Sequence, residues 1–167
     1  MKLIGLAGWS GSGKTHLIAR LVPALIARGV RVSTIKHAHH AFEVDKPGKD
    51  SWIHREAGAT EVLISSSARM ALLREHRDGE EPGLDVLLQR LAPVDLVLVE
   101  GFKRGTHTKI EVWREETGKP FLHPDDPTIV AIAAPAAPPG ATVPWIDLDD
   151  TDKIADFILT LPLATVG

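Results

Sequence analysis

The sequence predicts an α/β fold with a mostly parallel central sheet flanked by helices and an antiparallel hairpin excursion around residues 61–75. Three observations predict it. Short, predominantly apolar runs at Leu3 to Ala7, Val94 to Val99 and Ile129 to Ala133 have the composition of strands buried on both faces. Leu17, Ile18, Leu21, Leu25 and Ile26 recur at helical spacing between His16 and Arg28. A Gly-rich turn joins the first strand to that helix, in the order that βαβ units require.

The elements follow in order. Gly29 is a C-terminal stop for the first helix, and Val30 to Ile35 alternates and β-branches as a second strand ending at Lys36-His37. Ala38 to Gly48 lacks periodicity and reads as a long polar loop, a length that in compact domains points to function. It leads into a helix from about Asp50 to Ala57. Glu61 to Ser66 and Arg69 to Arg74, separated by small residues, predict the hairpin, and His76 to Gly83 is a charged loop. Leu84 to Leu91 forms a short helix, Val94 to Val99 a buried strand, and Lys109 to Arg114, Ile129 to Ala133 and Trp145-Ile146 supply three more strands. Asp149 to Leu161 closes the chain as an amphipathic helix, with Asp149 or Asp150 as its cap. The expected organisation is one nucleotide-binding domain over 1–167, with a small hairpin subregion at about 61–83.

The Gly-rich turn, Gly8-Trp9-Ser10-Gly11-Ser12-Gly13-Lys14-Thr15, fits G-x-x-x-x-G-K-[ST]. Glycines let consecutive N–H groups face phosphate oxygens, the helix adds its positive end, Lys14 supplies a point charge, and the Thr15 hydroxyl can ligate Mg²⁺. Together with the strand and helix around it, the loop predicts a P-loop NTPase-type fold. Gly11, Ser12, Gly13, Lys14, Thr15 and His16 are the expected nucleotide-binding residues, with His37 at the end of the second strand beside them.

Such a loop needs a partner carboxylate at the carboxyl end of a nearby strand. Asp95 starts the run Asp95 to Gly101, so five residues place it about 17 Å from that rim. Glu100 ends the run and is the expected Mg²⁺ partner of Thr15. Lys14 and Asp50 are the candidate catalytic groups. Asp45 and Asp50 could orient water or hold the metal's hydration shell, or be solvated acids beside Lys46 and Lys49. His37, His39 and His40 are open to a metal reading, although a histidine beside phosphates is more simply a hydrogen-bond donor.

Base recognition is less explicit. The chain has no Asn, and Thr108-Lys109-Ile110-Glu111 nearly matches the N/T-K-x-D element that reads guanine elsewhere, but it alternates as a strand does. The loop through Ala134, Pro135 and Pro138 is the better base platform. The only Gln, Gln89, lies inside a helix away from the rim, so intrinsic hydrolysis is expected to be slow.

Composition bounds the function. A net charge of −3, with no long Lys/Arg run, argues against bulk nucleic-acid or anionic-membrane binding. No stretch approaches the roughly 18 apolar residues of a membrane span. The apolar start breaks at Ser10, unlike a signal peptide, and the lack of cysteine makes the cytoplasm the simplest compartment.

The blocks G-W-S-G-S-G-K-T, I-K-H-A-H-H at 35 to 40, D-K-P-G-K-D-S at 45 to 51, A-G-A at 57 to 59 and L-V-E-G-F-K at 98 to 103 together resemble the molybdopterin-guanine dinucleotide biosynthesis adapter family. The resemblance implies a P-loop protein, usually a homodimer, that binds GTP with Mg²⁺ and hydrolyses it weakly. It also implies a partner, the guanylyltransferase that attaches GMP to molybdopterin. Gly11, Gly13, Lys14 and Thr15 match the family's phosphate loop and Glu100 its acidic partner. The competing reading is a P-loop small-molecule kinase using ATP or GTP, with Arg69, Arg74 or Arg77 as lid arginines.

Overall fold

The computed structural model describes residues 1–38, 42–77, 79 and 81–166. They form two compact units, one of residues 1–37 with 84–167 and one of residues 38–83. No helix among the described residues is long and apolar enough to cross a membrane.

The first unit is built on six parallel strands: β1 (Lys2–Ala7), β2 (Val32–Lys36), β5 (Leu96–Glu100), β6 (Lys109–Val112), β7 (Ile129–Ala134) and β8 (Trp145–Asp147). Their order is β2-β5-β1-β6-β7-β8. Side-chain alternation divides the core in two. Ile4, Leu6, Leu96, Leu98, Ile110, Val112, Ala131 and Ala133 face the helices α1 (Lys14–Ala27) and α4 (Thr151–Thr160). Leu3, Val97 and Val99 face the other way, against Leu84, Leu87 and Leu88 of α3 (Leu84–Leu88).

Helix α1 begins at Lys14, two residues before the expected start, because Gly13 caps it in a left-handed conformation at φ 98°. It stops where Gly29 predicts: Gly29 N–H donates to the Ile26 carbonyl and Val30 N–H to that of Leu25, which closes the helix end as a Schellman motif. Helix α3 is three residues shorter than expected. Arg90 and Leu91 continue it only as a tighter turn, donating to Leu87 and Leu88, before Pro93. Asp150 caps α4 by accepting from the Lys153 N–H.

The second unit holds α2 (Asp50–Glu56) and the predicted antiparallel hairpin, β3 (Glu61–Ser65) with β4 (Met70–Arg74). Its centre is Arg55, whose guanidinium lies 2.8 Å from Glu43, 3.4 Å from Asp45 and 3.1 Å from Glu75. Asp45 is therefore neither a solvated acid nor a free water-orienting group. Its side chain is 4% exposed and ion-paired, because the chain around α2 folds back on Arg55.

Candidate functional site

Three strand ends converge on one rim. Register pairs Leu6 of β1 with Glu100 of β5, and Glu100 with Lys36 of β2, so the phosphate loop, the acid and Lys36 emerge side by side. The loop is tight where it leaves β1. A Cβ on Gly8 would collide with the Val112 carbonyl oxygen and approach Ser12 Oγ to 2.7 Å, whereas one on Gly11 would meet only open space. Ser12 is buried, and its hydroxyl has no partner among the described residues.

Lys14 curls back over the loop, its ammonium donating to the Gly8 and Trp9 carbonyls at 2.9 Å each. Partial burial lowers its pKa below the ordinary lysine value; Glu100 opposes the shift, and Lys103 and Lys36 reinforce it. Three lysines around one acid give the rim a local positive excess that the acidic overall composition conceals.

The Thr15 hydroxyl donates to Glu100 Oε1 at 2.9 Å, and Lys36 Nζ lies 3.9 Å from Oε2 of the same carboxylate. This donor set fits Mg²⁺, a hard cation that takes oxygen ligands. Two neighbouring ligands of an octahedral ion at about 2.05 Å stand about 2.9 Å apart, the separation of these two oxygens. Ser10, Gly11, Gly13, Lys14, Thr15, His16, Lys36 and Glu100 line a cleft of about 360 Å³ there. A second cavity, lined by Met1, Val30, Leu96 and Ile158 among others, sits at the opposite end of β1 and β5 with none of these groups.

The remaining expected residues are distributed differently. His37 sits beside the cleft without lining it; its backbone N–H donates to the Glu100 carbonyl and its ring stacks on Phe102 at 4.8 Å. That packing follows from a sharp turn after the acid, where Gly101 and Phe102 have φ of 99° and 48°. Asp50 opens α2 in the second unit. His39 and His40 lie outside the described residues. Asp95, at the far end of β5, is pulled down to about 2 by its hydrogen bonds to the Arg31 guanidinium and backbone, a structural pairing.

The near match Thr108 to Glu111 is scaffold. Lys109 and Glu111 are both 0% exposed because β6 is covered on both faces: Ile110 and Val112 face the helices, and the two charged residues point to the opposite, equally buried side. Lys109 donates to Asp126, Thr128 and the Gly105 carbonyl. Glu111 accepts from the Leu122 and His123 N–H groups and from His123 Nδ1. In the loop expected to receive a base, the Ala134 carbonyl is already engaged by Leu148 N–H and Trp145 Nε1, both at 3.0 Å. The sequence reading passed over Arg114, whose Nε lies 3.3 Å from where a Gly13 Cβ would stand. No motif spacing marks it, because β6 brings it to the loop from about a hundred residues away.

Comparison with known proteins adds the family. Residues 3–135 match the model of the family described as Molybdopterin guanine dinucleotide synthesis protein B. The chain belongs to that family. Its similarity to two curated members extends over nearly the whole length. It is 42% identical over 160 residues to the molybdopterin-guanine dinucleotide biosynthesis adapter protein of Escherichia coli (strain K12), covering 94% of this chain and 91% of that one. Against the protein of the same name from Haemophilus influenzae it is 43% identical over 158 residues, covering 93% and 86%. The family fold is also that of solved structures. A crystal structure of molybdopterin-guanine biosynthesis protein B superposes with a TM-score of 0.74 at 32% identity, covering 95% of this chain and 97% of the other.

Proposed function

We propose that this protein binds GTP with Mg²⁺, hydrolyses it slowly, and acts as an adapter for the guanylyltransferase step of molybdopterin guanine dinucleotide synthesis. The observation that carries the nucleotide reading is the convergence of Lys14, Thr15 and Glu100 on one cleft, with the Thr15 and Glu100 oxygens at 2.9 Å. The adapter role is drawn from the names of the two curated relatives. In this reading Gly11, Ser12, Gly13, Lys14 and His16 receive the nucleotide, Thr15 and Glu100 hold the metal, and His37 supports the Glu100 strand end. Asp50, in the second unit, is a candidate catalytic acid on its sequence position alone. With Gln89 exposed in the turn just after α3, no glutamine serves the water, which accords with slow turnover.

The hairpin suggests that the active form is a homodimer. Leu63 pairs with Leu72 and Ser65 with Met70 on one face, and Leu63, Leu72 and Met70 are 61%, 47% and 70% exposed. A two-stranded sheet with a bare apolar face is marginal alone and gains stability by meeting another surface. The cytoplasm is the compartment that supplies GTP to such a protein.

Titration of the protein with GTP and ATP, with Mg²⁺ and with EDTA, tests the site. GTP is expected to bind more tightly, and Lys14→Ala to abolish binding while the circular dichroism spectrum is unchanged. A phosphorylated small molecule among the products, in place of free phosphate, would establish the kinase reading instead. Capture of the guanylyltransferase on immobilised protein, with and without GTP and Mg²⁺, tests the adapter role; absence of a complex in both conditions refutes it.

A further inference from the structure

The structure assigns Arg114 as a phosphate ligand of the nucleotide, supplied in cis from β6 and directed at the α- and β-phosphates; this inference rests on the nucleotide reading above. Arg20, Arg28, Arg31, Arg55 and Arg74 each hold a carboxylate. Arg114 is partly buried, yet among the described residues no carboxylate pairs with it, although Glu115 and Glu116 follow it directly. A partly desolvated guanidinium with no carboxylate beside it is open to an anionic ligand. It packs against the phosphate loop just outside the residues that line the cleft, with Nε 3.3 Å and one terminal nitrogen 3.9 Å from the position of a Gly13 Cβ.

The loop that delivers Arg114 is fixed at both ends. Trp113 N–H donates to the Ala133 carbonyl, Thr117 Oγ1 donates to the Arg114 carbonyl at 2.7 Å, and the indole of Trp113 donates to the Lys119 carbonyl. Further along, Trp9 of the phosphate loop donates its indole N–H to the Pro120 carbonyl at 2.8 Å, and buried Glu111 holds the Leu122 and His123 N–H groups. The backbone that carries Arg114 is thus ordered before any ligand arrives, which lowers the ordering cost of binding.

Strand order sets its role. With β1 between β5 and β6, Lys36, Glu100 and Lys103 approach the phosphates from one side and Arg114 from the other. Backbone N–H groups of a loop of this kind cradle the α- and β-phosphates, while its lysine reaches the β- and γ-phosphates. Arg114 beside Gly13 therefore serves the portion that GTP and GDP share.

The test is calorimetric titration of the wild-type protein, Lys14→Ala, Arg114→Ala and Arg114→Lys with GTP and with GDP, in Mg²⁺, with circular dichroism as the control for folding. Arg114→Ala is expected to weaken both nucleotides by the same factor, about 10- to 100-fold for a charge-assisted contact. Arg114→Lys should restore part of the loss, since it returns the charge without the planar fork. Unchanged GTP and GDP affinities in Arg114→Ala, or a loss confined to GTP, would overturn the assignment while leaving the site reading intact. A wild-type protein that binds neither nucleotide would overturn both.

Discussion

Replacing Glu111 separates a base-reading role from a scaffold role, and the structure gives the magnitude. The carboxylate is 0% exposed and accepts at 2.7 Å from Leu122 N–H, at 3.1 Å from His123 N–H and at 2.8 Å from His123 Nδ1. The Thr142 N–H donates to His123 Nε2, so the ring proton sits on Nδ1 and points at Glu111. Glu111→Leu keeps most of the volume and orphans all three donors. At about 1–3 kcal/mol per buried unsatisfied donor, with some relaxation toward water, the loss should reach about 3–5 kcal/mol, the range for breaking a buried pair. That is a large share of the roughly 5–15 kcal/mol that holds a domain folded, and it should lower the melting temperature by about 6–20 °C. Glu111→Gln retains an acceptor oxygen and should lose about half as much. Urea denaturation followed by circular dichroism measures both as shifts in midpoint at constant slope. A loss below about 1 kcal/mol for the Leu variant would refute the reasoning, because a solvated or optional acid behaves that way. So would a changed GTP-over-ATP preference in the folded Gln variant, which would return Glu111 to the base.

Other perturbations probe the metal, the pH response and the hairpin. Glu100→Gln should lose about 10-fold or more of its GTP affinity in Mg²⁺ and little in EDTA, as removal of a charged ligand requires; equal losses in titrations under both conditions would refute the metal assignment. Burial holds the His107 imidazole down to about 4, with Lys109 adding to the shift and Asp126 opposing it. The unfolded chain takes that proton near 6.5, so the His107 contribution is complete above pH 6.5 and is lost as the pH falls through 4. Urea midpoints between pH 7 and 4 should therefore fall less steeply for His107→Leu, whereas the Asp95 contribution fades only below its unfolded value of 3.8. A double change, Leu63→Lys with Leu72→Lys, should yield a monomer by light scattering with its far-ultraviolet spectrum retained; an unchanged mass would show that the exposed face is not the contact.

The parallel sheet, the hairpin and the phosphate loop were legible because each rests on a local pattern: apolar runs, alternation, and glycines at fixed spacing before Lys14. The place of Glu100 on the rim was legible by distance along a strand, which separates it from Asp95 at the far end. The ends of elements were less so. Periodicity begins only at the first buried residue, Leu17, so the polar first turn of α1 carrying Lys14 and Thr15 left no signal. The short 3-10 turn at Glu115–Thr117 left none either.

The sequence by itself determined the chemistry on offer: a phosphate cradle, a hydroxyl in the first turn of the helix after it, a carboxylate at a neighbouring strand end, and blocks specific enough to indicate the family. Tertiary structure decided which other charged groups belong to that chemistry. Lys109 and Glu111 resemble a base reader in sequence, yet β6 is buried on both faces and commits them to buried partners. Asp45 resembles a solvated loop acid, yet Arg55 holds it. Arg114 resembles an ordinary surface arginine, yet it stands against Gly13. The reason is physical: a charged side chain takes its role from its desolvation and its counter-charge, and both are set by the register of strands far apart in the chain.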